Sequence, residues 1–152
     1  KESLQEIVQD VNQLLQSLIT QHNVRIEMQF PDGGAEVLVS RIEIEQVVFN
    51  LLKNSIDSFA LSGTKSPLIQ VVVNSINGRF YEVLVKDNGP GIDRAVADDI
   101  FKPYVTNKPT GLGMGLSISQ TIIEGHGGRL SLIETDEPGC CFRFTLLRFQ
   151  HD

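Results

Sequence analysis

Tryptophan is missing from these 152 residues and tyrosine occurs only twice, so eight phenylalanines carry most of the aromatic weight. Cysteine is almost as scarce. The two cysteines, Cys140 and Cys141, are adjacent, which rules out a long-range disulfide staple and fits a reducing compartment. Positive charge is the scarcer sign, with 13 Lys and Arg against 19 Asp and Glu and a net charge of −6. The clustered cations that phosphate backbones and anionic membrane surfaces require are therefore lacking, which argues against nucleic-acid binding and membrane contact. No apolar run approaches the roughly 20 residues needed to cross a bilayer, and the first twenty residues have no signal-peptide pattern. The expected location is cytoplasmic, which leaves open an anchor elsewhere in a parent protein. The three histidines, His22, His126 and His151, show no metal-ligand spacing with cysteine and no Ser/His/Asp order, which disfavours zinc and triad chemistry.

What is present suits one domain with a real core, expected to span residues 1–152: 41% of residues are hydrophobic and 21% charged. Apolar residues from Leu4 to Ile19 follow helical spacing, with Ser3 as N-cap and Glu6 three residues on. Residues 24–30 alternate with period two, Pro31-Asp-Gly-Gly34 breaks the run, and residues 36–39 form a second short strand, which predicts a hairpin. Ser40 is placed to cap a long helix reaching about Leu61, with Ile42, Ile44, Val47, Val48, Leu51, Leu52, Ile56 and Phe59 as its apolar positions. Residues 68–76 and 80–86 read as strands joined through Asn77-Gly78, a strong hairpin signal. A helix from about Gly113 to Glu124 follows, closed by Gly125-His-Gly-Gly128, and strands at 129–134 and 141–147 flank Glu137-Pro-Gly139. This order predicts an α+β two-layer sandwich, a mixed and mostly antiparallel sheet with about three helices on one face.

Three stretches carry candidate chemistry. Lys108 precedes Gly111-Leu-Gly-Met-Gly-Leu-Ser117, where missing Cβ atoms let backbone N–H groups turn toward an anion at a helix N-terminus. A glycine-rich surface loop would look the same. Asn50 and Asn54 lie four apart on the long helix, with Asp57 and Ser58 one turn later. They form either a solvated stripe or a face on which Asn54 offers a hard oxygen to Mg²⁺. Asp87-Asn-Gly-Pro-Gly91 ends a strand in a turn that either serves as a plain β-turn or brings a carboxylate acceptor to an exocyclic amine.

Taken in order, Glu45-Gln-Val-Val-Phe-Asn-Leu-Leu-Lys-Asn-Ser55, Asp87-Asn-Gly-Pro-Gly-Ile92, Phe101-Lys-Pro-Tyr-Val-Thr-Asn-Lys108, Gly111-Leu-Gly-Met-Gly-Leu-Ser117 and Ile122-Ile-Glu-Gly-His-Gly-Gly128 resemble the N, G1, F and G2 boxes of the catalytic ATP-binding domain of sensor histidine kinases. The phrasing around the F and G2 boxes is most similar to the oxygen- and nitrogen-sensing type. The resemblance implies the Bergerat nucleotide fold of the GHKL group, with ATP between the N-box helix and a lid at residues 103–113. It implies that Asp87 reads the adenine amino group, that Gly89, Gly91 and Ile92 shape that pocket, and that Asn54 holds Mg²⁺. Asn50 would assist at the phosphates. Lys53 and Lys108 become candidates for triphosphate contact, and Gly111, Leu112, Gly113, Met114, Gly115 and Leu116 the phosphate-side wall. Phe101 and Tyr104 stand for the F-box aromatics, Tyr104 in place of the more usual Phe, and Cys140 and Cys141 stand where threonines are frequent.

The resemblance further implies transfer of the ATP γ-phosphoryl group, with ATP and Mg²⁺ as cofactors, to a histidine on a separate dimerisation domain, and a response regulator downstream. No histidine here matches the family's acceptor context: His22 lacks the acidic neighbour, His126 lies in a glycine turn, and His151 is terminal. The chain thus reads as the catalytic part of a longer kinase. Two other readings stand beside it. A related ATPase would carry a glutamate base where this chain has Asn50, and an amide cannot take a proton from water. A non-catalytic nucleotide-binding module would share the fold without the chemistry.

Overall fold

The computed structural model describes residues 1–102 and 115–150. The lid predicted at residues 103–113, Lys108 and the glycines at 111 and 113 lie outside the described residues, as do Leu112 and Met114. A short strand β1 (Glu2–Ser3) leads into α1 (Leu4–Leu14) and α2 (Gln16–Gln21), followed by β2 (Arg25–Gln29) and β3 (Glu36–Val37). The long helix α3 (Arg41–Ser62) precedes β4 (Leu68–Ile76), β5 (Phe80–Asp87) and a single turn of helix, α4 (Arg94–Ala97). Helix α5 (Gly115–Gly125) and strands β6 (Leu130–Ile133) and β7 (Cys140–Leu147) complete the described chain.

The main sheet has the order β2-β4-β5-β7-β6, antiparallel except for the β2/β4 pair. The sheet alternates cleanly. Ile69, Val71, Val73, Val83, Val85, Phe142, Phe144 and Leu146 turn inward and are buried. Against them pack Leu4, Ile7, Val8 and Val11 of α1, Ile123 of α5, and Val47, Val48, Leu51, Leu52 and Ile56 of α3. Each such side chain contributes on the order of 1.5–3 kcal/mol by leaving water, so the seating of α3 is set by its apolar stripe. The two-layer α+β sandwich expected from the sequence is the observed fold.

Local chemistry explains the boundaries. Ser3 caps α1, its hydroxyl accepting from the Glu6 amide at 3.3 Å. Helix α3 ends at Gly63, which adopts φ +65° and returns its N–H to the Phe59 carbonyl, a left-handed cap that glycine enters without steric cost. Asn77 and Gly78, both with positive φ, close the β4–β5 hairpin as predicted.

Three expectations are corrected. The single first helix is divided at Leu15, whose ψ of 4° separates α1 from α2. The hairpin expected between residues 24–30 and 36–39 does not form: β2 lies parallel to β4, while β3 pairs antiparallel with β1, joining Glu2 to Val37 and Ser3 to Glu36. Alternation identifies a strand without naming its partner, and the Leu4 amide bonding the Ala35 carbonyl at 2.9 Å draws β3 to the start of α1 instead. Ser40 is the N-cap of α3, yet its side chain makes no capping bond. Its N–H donates instead to Nε2 of His126 at 3.1 Å, and Nδ1 of the same imidazole is 2.8 Å from the Ile122 carbonyl. Nδ1 therefore carries the proton, and the ring ties the start of α3 to the end of α5.

Candidate functional site

Asp87 is the last residue of β5, half-buried, and its carboxylate is held from three directions. Oδ1 accepts from the Gly89 amide at 3.0 Å and from the Cys140 amide at 3.3 Å. Oδ2 accepts from the Ser55 hydroxyl of α3 at 2.7 Å. One helix, one turn and the first residue of β7 thus converge on a single side chain. The next residue fixes the turn itself: Asn88 accepts from the Leu68 amide at 2.8 Å and donates to the Ser66 carbonyl at 3.0 Å, pinning it to the start of β4.

Glycine is required here for space as much as for conformation. A Cβ on Gly139, whose φ is +118°, would stand 1.8 Å from the Asp87 carbonyl oxygen, so only glycine lets the start of β7 cross so close to the end of β5. Gly91, at φ +79°, approaches the Gly139 carbonyl in the same manner. Gly89 is buried with the Phe59 ring and the Asp87 carboxylate beside it, so a side chain there would fill the space next to the acceptor. Ile92 packs against the core from the same turn.

Further back along α3, Asn50 faces α5. Its amide nitrogen lies 3.2 Å from the Ser119 hydroxyl and 3.4 Å from the Gly115 carbonyl, and a Cβ on Gly115 would meet the Asn50 amide at 3.8 Å. Five residues of helix separate Asn50 from Ser55, about 7.5 Å along the axis. Lys53 projects from the same helix, its ammonium 3.2 Å from Asp57 in an exposed i,i+4 pair. Such pairs contribute only about 0.3–0.5 kcal/mol, so Asp57 holds the lysine loosely. Asn54 is half-buried on the same turn, and Leu116 packs against the core at the start of α5.

The structure therefore brings Asp87 and the turn carrying Gly89, Gly91 and Ile92 beside the Ser55–Phe59 part of α3, and Gly115 beside Asn50 earlier on the same helix, with Lys53 and Asn54 between. Sequence reasoning missed Ser55, Ser119, Phe59, Gly139 and the Cys140 amide. Ser55 left a signal: it interrupts the apolar stripe Leu51, Ser55, Phe59, and a small hydroxyl in a buried row needs a partner. The backbone donors at 89 and 140 left none.

A concavity of about 580 Å³ opens over Leu84, Lys86, Cys141 and Arg143 on the other face of the sheet, with Asp87 and Cys140 also in its lining. Arg143 bonds Glu82 there at 2.7 Å, and burial pushes the Cys141 thiol up from its ordinary range. Asn50, Asn54 and the glycines just described do not line this concavity. No group of three or more His, Cys, Asp and Glu among the described residues is arranged to hold a metal.

An acceptor carboxylate at a strand end, an amide-bearing helix beside it and a glycine-entered helix opposite define a nucleotide-binding ATPase-type fold. Residues 39–150 match the family described as "Histidine kinase-, DNA gyrase B-, and HSP90-like ATPase", and the chain belongs to it. Its relatives within the family include sensor proteins and a sensor histidine kinase. It is 38% identical over 146 residues to the sensor protein TdiS of Thauera aromatica, and 36% identical over 146 residues to the sensor protein FixL of Bradyrhizobium diazoefficiens. Each match covers 95% of this chain but only 27% and 28% of the relative, so the chain spans roughly a quarter of their length. The nucleotide-free catalytic domain of the histidine kinase ThkA superposes with a TM-score of 0.84 at 28% identity, covering 96% of this chain and 95% of that one. ThkA has also been solved in complex with the response regulator protein TrrA, where the match covers 97% of this chain and 41% of the other at 26% identity and a TM-score of 0.80. The fold is that of a histidine kinase catalytic domain.

Proposed function

We propose that this domain binds Mg²⁺-ATP along α3 and presents the γ-phosphoryl group to a histidine on a separate dimerisation domain of the same kinase, which then serves a response regulator. The observation that carries this reading is the Asp87 carboxylate, held by Ser55, Gly89 and Cys140 where the end of β5 meets α3. A fixed acceptor beside a buried glycine and the Phe59 ring suits a flat base bearing an exocyclic amine. Toward α5 the groups change from acceptor to amides and a loosely paired lysine, as a polyphosphate requires.

Asn54 fits a magnesium ion that arrives with its nucleotide: a neutral amide oxygen is a hard donor, and Mg²⁺ in such sites takes few protein ligands and completes its shell with phosphates and water. When bound, the ion neutralises charge on the transferring phosphoryl group. The chain's own residues do the positioning, with Asp87 fixing the base, Asn50 holding the start of α5 in place, and Lys53 and Lys108 supplying positive charge. Water activation finds no carboxylate at position 50. Asn50 instead spends its amide protons on Gly115 and Ser119, and this separates the site from a hydrolytic one.

Calorimetric titration with ADP and a non-hydrolysable ATP analogue, with and without Mg²⁺, tests the reading. Exchanging the acceptor in Asp87→Asn weakens adenine-nucleotide binding by about tenfold or more, because a buried polar contact left unpaired costs roughly 1–3 kcal/mol. Equal affinity of parent and variant would remove the adenine assignment.

A further inference from the structure

The position of Ser55 has a consequence for base selection that rests on this nucleotide reading. A carboxylate offers about four acceptor positions, two on each oxygen. Oδ1 of Asp87 takes two backbone donors, from Gly89 and Cys140, and its capacity is filled by groups fixed in the fold. Oδ2 takes one, from the Ser55 hydroxyl at 2.7 Å. One acceptor position is left, on Oδ2. Ser55 is only 4% exposed, on the buried row of α3 that also carries Leu51 and Phe59, so its single proton is committed to Asp87.

We infer that Ser55 is a positioning residue that aims the remaining lone pair of Asp87 Oδ2, and so makes the site select a purine carrying an amine over one carrying a carbonyl at the same place. The three donors come from α3, the turn after β5 and the start of β7, so the carboxyl plane turns only if the helix moves relative to the sheet. A 6-amino group presents an N–H to the open position and completes the set. A 6-oxo group presents a lone pair to a lone pair, and the carboxylate cannot turn away without giving up the Ser55 bond. Removing the hydroxyl frees the carboxylate to rotate and to recruit water, which loosens the discrimination as well as the binding.

The test compares ADP with inosine diphosphate, its 6-oxo counterpart, on the parent, Ser55→Ala, Ser55→Cys and Asp87→Asn, by calorimetric titration alongside thermal melts. Losing a hydrogen bond to a charged group lowers ADP affinity by about tenfold in Ser55→Ala. Inosine diphosphate affinity does not fall in parallel, so the ratio between the two ligands shrinks by several-fold. Adding Ser55→Ala to Asp87→Asn costs no further ADP affinity, since the carboxylate it serves is gone. Ser55→Cys keeps the volume with a weaker donor and gives a smaller loss in the same direction, which preserves the test if the alanine variant folds poorly. An unchanged ratio in a folded variant, whether affinities hold for both ligands or drop together, overturns the inference while leaving the nucleotide site standing. A parent that binds neither diphosphate overturns both.

Discussion

Replacing Gly139 by alanine inserts a methyl group where the structure has no room for one. The new Cβ stands 1.8 Å from the Asp87 carbonyl oxygen and 2.8 Å from its carbon, both backbone atoms in a paired strand, so no side chain can swing aside. The residue also keeps φ +118°, a conformation that costs an L-residue about 1–3 kcal/mol. Relief comes from lifting the start of β7 off the end of β5, which breaks the Cys140 amide bond to Asp87 Oδ1 and forfeits about 1.5–3 kcal/mol for a bond to a charged acceptor. Together these destabilise Gly139→Ala by about 3–6 kcal/mol. For a domain of this size that lowers the melting temperature by about 6–24 °C, at 2–4 °C per kcal/mol. Gly63→Ala is the reference. Its φ is +65° but no atom lies within 4 Å of the added Cβ, so only the left-handed backbone is penalised. That penalty is about 1–2 kcal/mol, offset by about 0.4–1 kcal/mol from the stiffer unfolded chain. Calorimetric melts of both variants, with ADP titrations on each, decide the matter. If Gly139→Ala melts within about 3 °C of Gly63→Ala and binds ADP like the parent, the close crossing of β7 over β5 is not what holds the acceptor.

Burial raises the Cys141 thiol pKa, so the unfolded chain deprotonates there first, near its ordinary value of about 8.5. The stability this residue contributes is therefore present below that pH and is lost as pH rises through the folded-state value. Urea melts at pH 7, 9 and 10 show the decline, and Cys141→Ser flattens it; a parent as stable at pH 10 as at pH 7 contradicts the burial. The isolated domain with labelled ATP acquires no acid-labile phosphate on His22, His126 or His151 at useful rates, and turns ATP over slowly, because Asn50 supplies no base. Rapid multiple turnovers would favour an ATPase instead.

The long helix, the Asn77-Gly78 hairpin and the two final strands were legible because each has a strong local cause: an apolar stripe at helical spacing, a turn that needs positive φ, alternation of period two. Asp87, Asn50 and Gly89 were legible as parts of motifs. The pairing of β2 and β3 was not, since period two fixes which face a residue takes and leaves its neighbour undetermined. Ile42 follows the apolar pattern of α3 yet is 79% exposed, for it lies in the first turn, beyond the stripe that Ile44 begins. The donors to Asp87 came from residues 55, 89 and 140, and two of them are backbone amides, which every sequence supplies alike. The tie from His126 to Ser40 spans 86 positions and could be found only in three dimensions.

The one parallel pair among the described strands bears on how the chain acquires its shape. Arg25 lies beside Leu68 and Gln29 beside Val72, so β2 has no ladder until α3 has been made and β4 has followed it. Strands β4 and β5 need only the three-residue turn at 77–79 to meet, and loop-closure entropy favours that hairpin as the earlier event. During synthesis from the N-terminal end, β2 emerges well before its partner, and its backbone donors and acceptors on that side stay unpaired until β4 follows.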